Sequence, residues 1–387
     1  MIPIKYNIRN LRRRWVTTTL TIIGTGLVVA SSCILFGMVE GLQQSLRVSG
    51  DPNDLMVLRK GSTNETSSYF DLSKVVELAT IPGIARDEKG RPLCAGELVN
   101  IPVCERANGS RANLIIRGMD PISPALRPNF KIIEGRTIEP GKGECLVAKP
   151  ISGRFKGTRL GETLKCGERE SYRVVGVFTA GGGAAESEVW VDRNDLARNT
   201  QRTGFVSDVQ LRAASAADRD AIQKTIQTGT QFNLLAMKES DYYADQQITG
   251  MVLLVIGSVI AVLLSIGAMF AAANTMFAAV KSRTREIGTL RALGFSRFDV
   301  LLCFLGESIL LCSLGGLLGW LATLPMSALT FGTNDFNSFA EKTIQFRFGP
   351  LVFAVAFAMT MAMGVFGGLF PAIRAIRLDV IKALREV

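Results

Sequence analysis

The stretch "AVKSRTREIGTLRALGFSRFDVLL", Ala279–Leu302, decides how this chain of 387 residues is read. Long apolar runs lie on both sides of it, and five Lys or Arg fall between Lys281 and Arg297. A charged segment this short cannot be a domain; it reads as a connector between two membrane spans. Working outward, four apolar runs reach the roughly 20 residues that a helix needs to cross a bilayer. They are Val16–Val39, Met251–Val280, Val300–Leu324 and Pro350–Phe370. The second is the longest and, as a helix of about 45 Å, exceeds the hydrocarbon core, so it is expected to tilt or project beyond the membrane.

Basic residues close to the spans set the orientation. Lys5, Arg9, Arg12, Arg13 and Arg14 precede the first run; Lys281, Arg283, Arg285, Arg291 and Arg297 fill the connector; Arg374, Arg377, Lys382 and Arg385 follow the last run. In a four-span topology all three groups share one side, which puts both termini in the cytoplasm. Residues 40–250 carry 28 basic and 27 acidic side chains, so nearly all of the net charge of +10 sits beside the membrane. That distribution argues against nucleic-acid binding. The apolar run after the basic start is too long for a signal peptide and lacks a small-x-small cleavage site, so a retained anchor is expected.

The chain contains no histidine, which excludes His-dependent catalysis and removes the commonest metal ligand. No phosphate-cradling G-x-x-x-x-G-K-[ST] occurs; "GRFKGTRLGE" and "GETLKCGERE" lack the lysine–hydroxyl pair. The chain is therefore not expected to be an enzyme or to carry a cofactor or metal, and any nucleotide chemistry falls to another chain.

Residues 51–238 read as an extracytoplasmic α+β domain. Strand-like runs are Leu55–Lys60, Asn113–Met119, Glu144–Lys149, Ser171–Thr179, Ser187–Asp192 and Ser207–Arg212, bounded by Gly, Pro, Asn and Asp. Helical signals are "DLSKVVELATIPG", with an acidic cap near Asp71, and "SAADRDAIQKTIQTG". "TAGGGAAESE", Thr179–Glu188, reads as a flexible loop. Cys94, Cys104, Cys145 and Cys166 are an even set in a compartment that permits disulfides, so at least one bridge is expected, with three pairings open. Helix-like sequence runs past the membrane at Glu40–Val48 and before it at Met237–Val255, which suggests a two-helix stalk. The expected organisation is thus N-terminal segment, first span and stalk over 1–50; the outer domain over 51–238; stalk and second span over 239–280; connector over 281–297; third and fourth spans with a short outer loop over 298–371; and a cytoplasmic tail over 372–387.

Within the connector, Ile287, Leu290, Leu293 and Phe298 are expected on one helical face, with Arg283, Glu286, Arg291 and Arg297 on the rest. Gly294 is placed to end the helix in a left-handed conformation. Two readings follow: a loop on lipid headgroups, or a short helix offered to a cytoplasmic protein. "ANTMFAAVKSRTREIGTLRALGFSRFDVLLCFLGESILL" (Ala273–Leu311) strongly resembles the signature of the MacB/FtsX-like permeases, the membrane subunits of type VII ABC transporters. "NIRNLRRRWVTTTLTIIGT" (Asn7–Thr25), the outer domain of about 200 residues and "FPAIRAIRLDVIKALR" (Phe370–Arg385) agree, although Val380 stands where relatives often carry proline. The resemblance implies a coupling helix made of Arg283, Arg285, Glu286, Ile287, Leu290, Arg291, Leu293, Gly294 and Phe295. It implies docking onto two copies of a separate ATPase that binds ATP and Mg, and a second permease protomer, expected as a homodimer. It further implies motion passed through the stalk to the outer domain, in the bacterial inner membrane. A periplasmic adaptor, an outer-membrane exit duct and membrane lipids are the further partners it suggests. The activity implied is export or extraction of a hydrophobic substrate; a lipoprotein-releasing permease and a signalling scaffold for a periplasmic hydrolase are the alternatives.

Inside the spans, Glu307 is costly and therefore a functional candidate. A structural acid bonded to Ser308, Ser313 or a neighbouring helix is preferred to a proton relay, because no basic partner is evident in the spans. Gly37 and Gly41, Gly315 and Gly319, and Gly364 and Gly368 recur at four-residue spacing, which permits close helix approach.

Overall fold

The computed structural model describes residues 15–48, 51–127, 129–167, 170–229, 232–245, 248–334 and 341–377. The basic residues before Trp15 and the tail beyond Arg377, with Val380, Lys382 and Arg385, lie outside the described residues. The chain divides into two compact units. One holds the chain up to Glu40, Val252–Leu329 and everything from Gln345; the other holds Gly41–Met251 and Thr330–Ile344.

The first unit is helical. Among the described residues, four helices are long and apolar enough to cross a membrane. They are α1 (Trp15–Val48) and, later in the chain, Ile248–Ser282, Arg297–Thr323 and Pro350–Ile376. Lipid supplies no hydrophobic drive between helices, so close packing of small residues must hold them. Gly26 of α1 faces Gly315 and Gly319: a Cβ on Gly319 would stand 3.0 Å from the Gly26 carbonyl carbon, and one on Gly315 would stand 2.6 Å from the Ile22 carbonyl oxygen. Cβ atoms on Gly364 and Gly368 would likewise press on Ile309 Cα at 2.8 Å and Ser308 Cβ at 2.5 Å. Gly37 abuts the Phe348 ring, and Gly41 is buried. Five of the six glycines with expected packing roles therefore stand where a methyl group would collide. The hydroxyls of Thr21 and Thr25 bond the carbonyls four residues back, each at 2.9 Å, which satisfies them without water.

The second unit is built on one mixed sheet. Its strands in chain order are β1 (Asp54–Arg59), β2 (Phe70–Asp71), β3 (Cys94–Asn100), β4 (Val103–Glu105), β5 (Arg111–Asn113), β6 (Ile115–Met119), β7 (Lys131–Gly135) and β8 (Glu144–Ala148). They continue with β9 (Thr163–Cys166), β10 (Glu170–Thr179), β11 (Glu188–Asp192), β12 (Phe205–Val206), β13 (Asp208–Arg212), β14 (Leu234–Lys238), β15 (Thr330–Asn334) and β16 (Glu341–Gln345). The sheet runs β14-β1-β13-β3-β6-β11-β8-β10-β9-β4-β5, with β7 also on β10; β2 pairs with β12 and β15 with β16. The helices are α2 (Ser73–Leu78), α3 (Arg193–Asn199), α4 (Ala216–Thr228) and α5 (Glu239–Asp245). All six strand-like runs of the sequence are strands of that single sheet. One apolar core lies between α2, α4 and the β14-β1-β13 end, where Leu55, Val57, Leu78, Ile222 and Ile226 pack together. The other surrounds Trp190, Tyr172, Phe155 and Phe178.

Two details depart from expectation, and a third, the expected disulfide, involves only two of the four outer cysteines. Asp71 does not cap α2; the cap is Leu72, and the Asp71 carboxylate accepts from the Ser73 N–H at 2.7 Å instead. The Gly-rich segment Thr179–Glu188 is organised around an internal anion: the Glu186 carboxylate accepts from Thr179 Oγ1 at 2.5 Å and from the N–H groups of Ala180 and Gly182 at 2.9 and 3.0 Å. Cys104 and Cys166 face each other across β4 and β9 and are joined by a disulfide. Cys94 and Cys145, expected as possible bridge partners, are free thiols. They lie in different apolar cores, and burial raises both thiol pKa values, Cys94 to about 12.

Candidate functional site

The connector forms α7 over Thr284–Ala292, between α6 (Ile248–Ser282) and α8 (Arg297–Thr323). Glu286 lies in its first turn and Arg291 in its last, each complementing the helix dipole. Gly294 has φ +96°; its N–H donates to the Arg291 carbonyl, and the Phe295 N–H to the Leu290 carbonyl, both at 3.2 Å. These two bonds are the pair that a left-handed residue makes at a helix end. Two residues later Ser296 and Asp299 form a capping box that starts α8. The turn is thus specified from both sides.

The single apolar face expected of Ile287, Leu290, Leu293 and Phe298 is split. Ile287 is 2% exposed and packs on Met276, Ala279, Val280, Val300 and Phe304. Leu290 and Phe295 are half-buried, whereas Leu293 is 73% and Phe298 65% exposed. Helical spacing does not carry across the left-handed Gly294, so Phe298 belongs to a new helix with its own phase. Arg285 and Glu286 are exposed alongside.

Arg283 was expected on the polar face and is instead 7% exposed. Its Nη1 donates to Glu307 Oε2 at 2.9 Å, its Nε to Glu286 Oε2 at 3.3 Å, and its guanidinium lies 5.1 Å from the Phe304 ring centre. This corrects the reading of Glu307: the acid has a basic partner, and that partner comes from the connector rather than from a span. The Ser308 hydroxyl, one of its expected partners, is buried with no hydrogen bond. Arg291 Nη1 donates to the Ile376 carbonyl at 3.3 Å, at the C-terminal end of α9 (Pro350–Ile376). The connector is therefore fastened to all three of α6, α8 and α9.

Residues 18–228 match the MacB-like periplasmic core domain, and residues 258–380 match the FtsX-like permease C-terminal domain. The first match alone covers more than half of the chain. The chain belongs to the MacB/FtsX family of ABC-transporter permeases. This MacB-like permease is 24% identical over 411 residues to the macrolide export ATP-binding/permease protein MacB of Bdellovibrio bacteriovorus, covering 96% of the chain and 59% of that protein. It spans only about three fifths of that relative. Over a shorter region it is 40% identical to the uncharacterized ABC transporter permease YvrN of Bacillus subtilis, covering 27% of the chain and 24% of YvrN. The crystal structure of the periplasmic region of MacB from Actinobacillus actinomycetemcomitans aligns with a TM-score of 0.39 at 11% identity, covering 54% of this chain and 97% of that one. The four spanning helices and the intervening α/β domain make it a multi-pass membrane protein.

The permease's α/β domain holds a buried charge cluster that no sequence motif announced. Arg117 of β6 donates to Glu65, Glu97 and Glu188 at 2.8–3.0 Å, and Arg127 donates to Glu97 at 2.8 Å. Burial would raise the Glu97 pKa, but the Arg127 and Arg117 charges prevail and hold it at about 2. Asp208 lies 3.6 Å from Arg117 with neither oxygen hydrogen-bonded, and burial, then Glu65, push its pKa well up. The sheet order brings β3, β6, β11 and β13 side by side and so assembles Glu97, Arg117, Glu188 and Asp208, to which Glu65 and Arg127 are added from outside the strands.

Proposed function

We propose that this chain is the permease subunit of a type VII ABC transporter, and that a separate cytoplasmic ATPase, binding ATP and Mg, docks on the connector. The observation that carries this reading is the division of labour in α7. Arg283, Ile287 and Arg291 hold it to the spans, while Arg285, Glu286, Leu293 and Phe298 remain exposed. A helix clamped to three spans can pass a push from a docked protein into the membrane unit. A loop resting on headgroups has no need of a buried ion pair. Motion of the spans would then move the periplasmic α/β domain and drive export of a hydrophobic molecule. Two ATPases beneath a permease homodimer in the bacterial inner membrane, with both termini cytoplasmic, complete the proposal. A periplasmic adaptor and an outer-membrane duct would take over the cargo.

The test is ATPase co-purification and permease-stimulated ATP hydrolysis in nanodiscs. Removing a central apolar anchor from such an interface costs about 2 kcal/mol, roughly thirtyfold in affinity. Leu293→Ala and Phe298→Ala should each approach that loss, while Glu286→Gln, a rim charge, should lose much less. Normal coupling in Leu293→Ala with loss on neutralising Lys281, Arg285 and Arg297 would favour the headgroup loop and end the proposal.

A further inference from the structure

The segment between the third and fourth spans forms the β15–β16 hairpin and groups with the α/β unit. Glu341, the first residue of β16, is completely buried. Arg106 donates to its Oε2 from Nε at 2.9 Å and from Nη2 at 2.5 Å, and Arg154 Nη2 stands 2.5 Å from its Oε1. The two arms differ. Arg106 donates twice to the one oxygen Oε2, in charge-assisted hydrogen bonds. Arg154 makes an ion pair without a hydrogen bond, and its Nη1 has no partner. Across the hairpin, a Cβ on Gly332 would lie 2.5 Å from Glu341 Cδ, so only glycine leaves room for the carboxylate and its arginines.

The seat of the arginines is built for rigidity. The Ala107 N–H donates to the Arg154 carbonyl and the Lys156 N–H to the Glu105 carbonyl, both at 2.9 Å, which ties the two arginine segments together. The register of β4 against β9 is the pair Cys104–Cys166, so the disulfide itself holds this sheet edge, two residues from Arg106.

We propose that Arg106 and Arg154 are a clasp on Glu341 that straps the outer hairpin of the third and fourth spans to the edge of the sheet. The helices α8 and α9 then pull on the α/β domain directly, in addition to the chain's passage through α1 and α6. These three are positioning residues for the coupling proposed above, and that part of the inference rests on it.

The test is amide hydrogen exchange on the full permease in nanodiscs, alone and with its co-purified ATPase. Breaking a buried pair by removing one partner is strongly unfavourable, so in Glu341→Gln the hairpin peptides should exchange at least about tenfold faster, with β8 and β11 unchanged. Arg106→Gln should resemble it and Arg154→Gln should do less. The Arg106→Gln/Glu341→Gln pair should be no worse than Glu341→Gln alone. Unchanged hairpin exchange, additive effects, or acceleration throughout the sheet would each overturn the clasp. With the ATPase bound, any nucleotide-dependent change at β4 and β5 should shrink at least about threefold in Glu341→Gln, and an unaltered response would overturn the mechanical role. A wild type with no nucleotide response defeats the coupling reading instead, while hairpin exchange still judges the clasp.

Discussion

Replacing Glu307 by Gln keeps the size and the acceptor oxygen but removes the charge that meets Arg283 at 2.9 Å. Both side chains are nearly closed to solvent, at 8% and 5% exposure, so bulk water cannot take over from the lost carboxylate. Leaving one member of a buried pair uncompensated costs about 3–5 kcal/mol. The retained amide oxygen and the Phe304 ring put Glu307→Gln near the lower end, about 3 kcal/mol. Glu286, 46% exposed and 3.3 Å away, offers little relief, because an exposed pair contributes under about 1 kcal/mol. Arg283→Gln should cost a similar amount by removing the charge that faces the buried Glu307 carboxylate. The double variant Arg283→Gln/Glu307→Gln leaves two neutral groups that can bond each other, so it should recover at least about 2 kcal/mol relative to the singles added together. Unfolding in mixed micelles, titrated with a denaturing detergent, measures the cycle. Permease-stimulated ATP hydrolysis, measured in parallel, should fall with both singles and return in part with the double. If Glu307→Gln stays within 0.5 kcal/mol of the parent, on the order of an ordinary surface change, or if the two effects simply add, the pair does not clamp the connector.

Two further outcomes follow from the α/β domain. The Cys104–Cys166 bridge closes a loop of 62 residues, so Cys104→Ser/Cys166→Ser should lose about 4 kcal/mol of domain stability, while Cys94→Ser and Cys145→Ser leave the bridge intact in non-reducing thiol mapping. Glu239 is buried, and burial, then the Asp54 carboxylate, raise its pKa from 4.5 to about 7. A raised acid holds its proton more tightly when folded, so its contribution is most favourable below about pH 4.5 and fades as pH rises to about 7, by about 3 kcal/mol. Thermal unfolding across that window should show the decline, and Glu239→Gln should lessen it, leaving the parts that Glu170, which burial raises to about 7, and Asp208 add in the same direction.

The spans, the six strand-like runs between their turn residues and the Gly294 helix stop were legible because each rests on local chemistry. An apolar run of span length, a short β-rich run closed by Gly, Pro, Asn or Asp, and a glycine after a helix turn act within a few residues of themselves. The glycine pairs belong here too, since four-residue spacing places them on one helix face whatever they meet. What the sequence could not contain was which distant groups become neighbours. "CAGELVN", Cys94–Asn100, reads poorly as a strand, yet as β3 it is central and buried, because its Glu97 meets Arg117 and Arg127 from other elements. Cys104 and Cys166 are no better spaced than the alternatives, and strand register alone selected them. Glu307 looked unpartnered because its partner lies 24 residues earlier, in a segment read as surface. Glu341 lay in what read as a short outer loop, 235 residues from Arg106. Local composition and run length determined the elements and the candidate spans. Burial of charge, which tolerates only a partner at hydrogen-bond distance, was decided when tertiary packing closed those gaps.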